Sequence, residues 1–309
     1  MDTAGNLPCM LLLALLFLSF ILFLRSEWEK KQLKTELYEI VTEKIRKKTR
    51  FVFLSDLHSV SFGADNQKLL ERIYALSPDA VLIGGDMITC GRKSPQPPKT
   101  DACLHFLSEL SAQYPVYFAE GNHEVRFAAR FPDAFQMFRD HLLQLGISYI
   151  RDGVEVFDTE RLIENDEDDV AIYGISMDQK YFHSMTPGFG RREPLSGAYL
   201  EQKLMKPDRS RFSILLMHSP LYLKEAADWG ADLVLSGHFH GGTVRIPFLG
   251  GLMTPQYQFF VKECAGRFHF GSTEMIVSRG LGTHSVRVRL NDLPELSVID
   301  LVPGLPEKQ

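Results

Sequence analysis

The stretch ADLVLSGHFHGG, residues 231–242, sets two histidines directly behind a run of aliphatic residues. ADLVLS (231–236) is rich in Leu and Val and reads as a buried strand. Glycines 237, 241 and 242 then break the strand and let the backbone pass close to something. His238 and His240 therefore sit on a tight turn at a strand's carboxyl end, where open α/β sheets bind ligands. An HxH pair alone is equally the mark of an ordinary turn, so the reading depends on partners elsewhere in the chain.

Four other apolar runs end the same way. RFVFLS (50–55) leads to Asp56 and His58, and DAVLIGG (79–85) leads to Asp86. PVYFAE (115–120) leads to Asn122, His123 and Glu124, and RFSILLM (211–217) leads to His218. Each has an ordinary explanation alone: Asp86 as a helix cap, His218 as a satisfied core histidine, Asn122 as a left-handed turn residue. Five strands ending in such residues point to one shared centre. Carboxylate, imidazole and amide ligands suit divalent ions such as Mn²⁺, Fe or Zn²⁺. No cysteine joins them, which disfavours a structural thiolate site. Seven candidates, Asp56, His58, Asp86, Asn122, His218, His238 and His240, exceed the needs of one tetrahedral ion. They suffice for two ions if Asp86 bridges, one oxygen to each. Two ions about 3.5–4 Å apart clamp a phosphoryl oxygen and turn a bridging water into hydroxide.

The chain has 309 residues, 45% of them apolar and 24% charged, as in a globular domain with a full core. Its net charge of −5 argues against a nucleic-acid partner. Cys9, Cys90, Cys103 and Cys264 are scattered without CxxC spacing and read as free thiols, with a Cys90–Cys103 bridge as the alternative. LPCMLLLALLFLSFILFL (7–24) carries no charge and as a helix is about 27 Å long, enough to cross a hydrocarbon core. A cleavable signal peptide is the rival reading, but no basic segment precedes the stretch and no small-residue cleavage site follows it. The division expected is an anchor over 1–24, a juxtamembrane linker over 25–33 and a soluble domain over 34–309. Arg25, Lys30, Lys31 and Lys34 follow the anchor and no cation precedes it, so the positive-inside rule puts the domain on the cytoplasmic side.

Along the soluble part, strands are expected at 35–45, 50–55, 79–85 and 115–120, and helices at 66–76, 102–110 and 134–146. The Pro-rich, basic 90–103 segment is a loop. Strands 149–158 and 169–176 form a hairpin with the acidic run ENDEDD (164–169) at its tip. The 177–197 segment is a long loop or lid. A helix near 198–204, a strand at 211–220, a helix at 221–230 and strands at 274–280, 285–290 and 295–301 follow, with a frayed tail. Alternating strands and helices that give way to β-rich segments suggest two packed sheets with helices outside.

The ordered blocks D-x-H, G-D, G-N-H-E, H and G-H-x-H resemble the calcineurin-like metallophosphoesterase superfamily, from about Arg50 to Leu301. GHFHGGTVRIPFLGG (237–251), VSRGLG (277–282) and VRLNDLPEL (288–296) resemble its membrane-anchored bacterial branch of YkuE- and YaeI-like phosphodiesterases. The resemblance implies a four-layer αββα sandwich. It implies one ion on Asp56, His58, Asp86 and His240, and a second on Asp86, Asn122, His218 and His238. His123 would face the phosphate, stabilise the transition state and protonate the leaving oxygen, with Glu124 orienting it from behind. The implied activity is hydrolysis of a phosphate ester, a diester or a pyrophosphate-linked lipid such as a UDP-diacylglucosamine-like molecule. Arg245 and Arg279 are read either as phosphate contacts or as structural ion-pair partners. Two other functions fit the fold: a membrane-tethered scaffold without activity, and a nuclease. The intact ligand set argues against the first and the missing basic groove against the second.

Overall fold

The computed structural model describes residues 7–158, 169–182, 193–196, 198–283 and 286–304. Most of the acidic run (164–168), much of the 177–197 loop and the tail 305–309 lie outside the described residues. One six-stranded sheet has the order β1 (Lys34–Thr42), β14 (Glu295–Pro303), β2 (Thr49–Leu54), β3 (Ala80–Ile83), β4 (Val116–Ala119) and β5 (Ser148–Ile150). A second has the order β12 (Gly266–Phe270), β13 (Thr273–Val277), β9 (Leu233–Ser236), β8 (Phe212–Leu216), β7 (Val170–Gly174) and β6 (Gly153–Phe157). β10 (Arg245–Ile246) and β11 (Gly250–Gly251) make a small separate hairpin.

The central strands are parallel: β2 through β5 in one sheet, and β7, β8, β9 and β13 in the other. Parallel strands covered on both faces read as unbroken apolar runs, which is why RFVFL shows no alternation. Its alternate side chains nevertheless part to opposite faces. Phe51 and Phe53 enter the core between the sheets with Ile172, Ile214 and Leu235. Val52 and Leu54 face outward, under Leu69 and Ile73 of α2 (Gln67–Leu76) and Phe106 and Leu110 of α3 (Asp101–Ser111). Phe127 of α4 (Asn122–Arg130) and Phe138 of α5 (Pro132–Gln144) complete that layer. Across the molecule, Leu215 and Val234 are covered by Leu200 of α6 (Tyr199–Lys203) and by Ala226 and Trp229 of α7 (Leu223–Trp229). The result is the four-layer αββα sandwich.

Three local readings are corrected. The 149–158 stretch is not one strand: β5 ends at Ile150 in the first sheet and β6 begins at Gly153 in the second, with Asp152 at φ 54° making the turn. The alternating VRVRL is not a strand either: Leu290 makes a single bridge to Val244, and the guanidinium of Arg289 is consumed by loop carbonyls. Helix α4, unread in the sequence, begins at Asn122 itself. All four cysteines are free.

Helix α1 (Leu7–Glu29) is exposed along residues 8–24 and has a mean hydropathy of 2.4 over its most apolar window, long and apolar enough to cross a membrane. It continues unbroken to Glu29, and its last turn docks on the domain. Ser26 Oγ accepts the Arg289 main-chain N–H at 3.0 Å, and Glu29 Oε2 accepts that of Asp292 at 3.1 Å.

Candidate metal centre

The carboxyl ends of β2, β3, β4, β8 and β9 converge, and the seven ligand candidates and His123 are all buried there. The turns that carry them are tightly wound. Asp56 (φ 55°), His58 (50°), Asp86 (55°), His238 (71°) and His240 (47°) all adopt left-handed backbone. Such residues cost about 1–3 kcal/mol each and persist only where surrounding structure over-determines them. Here main-chain N–H groups hold the carboxylates: His238 N donates to Asp56 Oδ2 at 3.0 Å, and His123 N to Asp86 Oδ1 at 2.7 Å. Glycines permit that approach, since a Cβ on Gly237 would lie 2.1 Å from Asp56 Oδ2 and one on Gly121 2.3 Å from Asp86 Oδ1.

Hydrogen bonds on the outer ring nitrogens sort the histidines. His218 Nδ1 donates to the Gly84 carbonyl at 2.7 Å, and His240 Nδ1 to that of Gly282 at 3.0 Å. In both rings Nδ1 therefore carries a proton and Nε2 is the nitrogen turned inward, the arrangement of metal-ligating imidazoles. His123 is opposite: its Nδ1 accepts the Cys90 main-chain N–H at 2.8 Å, so Nε2 carries the proton inward. His123 Nε2 lies 3.9 Å from Asp86 Oδ2, close enough to count as a ligand by distance. Its tautomer makes it a donor instead.

The inward atoms are crowded. His218 Nε2 is 3.2 Å from Asp86 Oδ2, and His58 Nε2 is 3.8 Å from the same oxygen. His240 Nε2 is 3.4 Å from Asp56 Oδ1 and 3.1 Å from His58 Nε2. Asp86 Oδ2 thus faces His58 and His218 together, while Oδ1 accepts the His123 N–H. Asn122 Oδ1, His218 Nε2 and His238 Nε2 are buried without a hydrogen-bond partner among the described residues. Buried polar atoms are almost always satisfied, and the ligand nitrogens of His218 and His238 lie with an Asp86 oxygen within 4.8 Å of one another. A divalent cation there satisfies both, and the O/N donor set suits one.

The electrostatics agree. Burial pushes the Asp56 carboxyl up, but His240 and His218 beside it hold it well below the usual range. Asp86 is likewise held low against its burial by His218 and His123. Burial lowers His218, yet Asp86 and Asp56 raise it to about 10. Burial takes His238 and His240 down to about 3, so both are neutral and ready to bind metal. The two buried carboxylates that draw a proton onto His218 draw a cation to the same lone pair, and proton and metal compete there.

Other expected residues fall elsewhere. Glu124 holds the backbone of the site. Its carboxylate accepts the N–H groups of Asp86 (2.7 Å), Gly121 (2.9 Å) and Met87 (3.0 Å), locking the β3 turn to the start of α4. Arg279 is taken by Glu36 and Glu295 at 3.3 and 3.4 Å, the structural alternative. Arg245 donates to the Gly241 carbonyl at 3.0 Å on the outer side of the GHFHGG turn. Arg289 was missed. It is buried, and its Nη2 donates to the carbonyls of Arg279, Gly280 and Gly282 at 2.7–2.9 Å. Gly282 is the residue that orients His240, so Arg289 stands one step behind the centre. Gln179 was missed too: its Nε2 donates to the Asn122 carbonyl at 2.6 Å. A lone Arg in an alternating run and a lone Gln in a loop carry no local signal.

Residues 49–242 match the family model described as calcineurin-like phosphoesterase. The chain is similar to the uncharacterized metallophosphoesterase YkuE of Bacillus subtilis, 41% identical over 90 residues. That match covers 29% of this chain and 31% of YkuE, so it spans about a third of that protein's length. An uncharacterized metallophosphoesterase of Aquifex aeolicus is 26% identical over 93% of this chain and 98% of its own. The phosphodiesterase YaeI of Escherichia coli is 26% identical over 82% of each chain. The family model takes in the strand ends from Asp56 to His240, and on that match the chain belongs to the calcineurin-like phosphoesterase family.

Proposed function

We propose that this protein hydrolyses phosphate esters with two divalent ions, and that it does so beside a membrane. Asp56, His58, Asp86 and His240 would hold one ion, and Asp86, Asn122, His218 and His238 the other. When bound, the ions supply positive charge to the phosphoryl oxygens and lower the pKa of a water nucleophile. The reading is supported by one observation: His218 and His240 anchor Nδ1 on a carbonyl and leave Nε2 inward for a metal to bind in place of a proton, while His123 accepts an amide on Nδ1 and turns an Nε2–H inward.

The protein's own groups do the rest. His123 Nε2–H donates to the substrate at the site's mouth, stabilising charge on the phosphoryl oxygens and passing a proton to the departing oxygen. The Cys90 amide keeps that ring in the donor tautomer. The Phe182 ring, 5.1 Å from that of His238, closes one wall against water.

The substrate we favour is a diester or pyrophosphate-linked lipid. A groove of about 480 Å³ runs from His58 past Ser59, Thr89 and Thr283 to Lys30 and Lys31 at the foot of α1. It has room for a second substituent, and it opens where α1 would leave a bilayer. In this reading residues 1–24 are a single-pass anchor and the domain from residue 34 is cytoplasmic. Hydrolysis of bis-p-nitrophenyl phosphate, p-nitrophenyl phosphate and vesicle-borne phospholipids by the full-length protein, with Mn²⁺, Fe²⁺ or Zn²⁺, tests it. Metal-dependent turnover with a preference for the vesicle-borne diester is expected. No metal-dependent cleavage of any of them would sink the reading.

A further inference from the structure

Among the described residues, the β10–β11 hairpin carries the most exposed aromatic side chain. Phe248 at its tip is fully exposed and Leu249 is 65% exposed. Tyr257, Phe259 and Phe260 leave about half their surface open. They lie beside the hairpin, because Phe260 N donates to the Leu252 carbonyl at 3.1 Å and Leu252 N to that of Val244 at 2.8 Å. Contiguous apolar surface of this kind marks an interaction site. The backbone sharpens the point. Phe248 (φ 67°), Tyr257 (φ 59°) and Phe260 (φ 54°) are all left-handed, a genuine anomaly for bulky side chains. A fold gains nothing in water by holding three exposed rings on strained turns.

The patch is tied to the end of α1. Arg25 Nη2 donates to Asn291 Oδ1 at 2.5 Å, and Asn291 Nδ2 donates to the Arg245 carbonyl at 3.1 Å. Phe248 is three residues beyond Arg245, at most about 10 Å of chain. Arg25 and the exposed Trp28 at the end of an apolar helix are the residue types that sit at headgroup level. Two hydrogen bonds therefore hold the base of the hairpin at that level.

We propose that the β10–β11 hairpin and the aromatic residues at 257–260 insert into the lipid surface beside α1, as a second membrane contact. The proposal rests on reading α1 as a membrane segment. It adds that the domain is docked against the bilayer, with the groove mouth facing it, rather than swinging on a tether.

Tryptophan quenching in proteoliposomes made with phospholipids brominated near the glycerol end of the acyl chain tests it, using the full-length protein. Trp229 is buried and supplies a constant background, while Trp28 reports the foot of α1. Phe248→Trp in a Trp28→Phe background reports the hairpin. Quenching of Trp28 in the wild type and comparable quenching in the variant are expected. Quenching of Trp28 alone would overturn the hairpin contact and leave the reading of α1 intact. Quenching of neither would remove both. Absence of hairpin quenching, with cross-linked dimers that Phe248→Ser abolishes, would assign the patch to a second copy of the chain and overturn the lipid assignment.

Discussion

The His123 main-chain N–H donates to Asp86 Oδ1 at 2.7 Å, so the carboxylate at the middle of the centre is held by the residue that supplies the inward proton. The Nε2 of the same residue lies 3.9 Å from Asp86 Oδ2. The proposed ligand and the proposed acid are thus fixed to one another through the backbone. Helix α4 starts at this junction, and Glu124 ties its first turn to the turn after β3 through the amides of Asp86 and Met87.

Asp86→Asn removes the charge that faces His58 and His218 but keeps an oxygen that can accept the His123 N–H. We expect the fold to survive, bound metal to fall below that of the wild type, and kcat to drop by about 10³-fold or more. Metal analysis beside steady-state kinetics measures both. Turnover near wild type would show that Asp86 does not hold the ions.

His123→Ala removes the inward N–H without removing an inward lone pair. Metal content should stay at the wild-type level while kcat falls by about 10²–10⁴-fold. The loss should be smaller for a substrate whose leaving group, such as p-nitrophenolate, needs no proton. Loss of metal in this variant would turn His123 into a ligand and reverse the tautomer argument.

How much of this was legible in the sequence follows from how local each feature is. Strand-end ligand candidates are local: an apolar run followed by Asp, Asn or His can be read without knowing the fold, and the Asp and His candidates fall, with His123, into three overlapping close groups. The parallel sheets are legible for the same reason, because strands buried on both faces lose their alternation. What escaped depends on distant partners. Arg289 sits in VRVRL, whose period-two pattern imitates a strand, and only the carbonyls of 279–282 reveal that its guanidinium is buried. The amide bonds of Glu124 escaped because its acceptor oxygens take main-chain N–H groups 36–38 residues away. The exposed rings at 248 and 257–260 are ordinary strand formers by propensity, and only their left-handed backbone and exposure set them apart.

Arg289→Met should act on the centre from behind. The buried guanidinium also pairs with Asp292 at 3.3 Å, and removing it strands that carboxylate and three carbonyls. Stability should fall by about 3–5 kcal/mol. Freed from its support, Gly282 would orient His240 less well, and metal affinity should weaken about 10–100-fold. Arg289→Lys should not restore it, because an ammonium cannot serve that fork of acceptors. Metal titration and thermal melts separate the two effects. Wild-type affinity in a destabilised Arg289→Met protein would confine Arg289 to a structural role.

Asp300 gives the molecule an acid-sensitive clamp away from the centre. Its carboxylate accepts Arg50 Nε and Nη2 at 2.7 and 2.8 Å, and Lys48 Nζ lies 2.7 Å away. The hydrogen bonds from Arg50 lower its pKa, burial opposes them, and Lys48 lowers it further, for a net depression. A depressed folded-state pKa contributes stability that is present above the ordinary carboxylate value of about 3.9 and lost as pH falls through the folded value. The clamp joins β2 to β14, the antiparallel pair that brings the chain's last strand into the first sheet. Asp300→Asn should therefore lower Tm at pH 7 and flatten the acid limb of the stability curve, so that the gap between variant and wild type narrows as pH falls below the ordinary carboxylate value. Thermal melts of both full-length proteins from pH 3 to pH 8 measure this, and a constant gap across that range would show that the pairing contributes nothing that titrates.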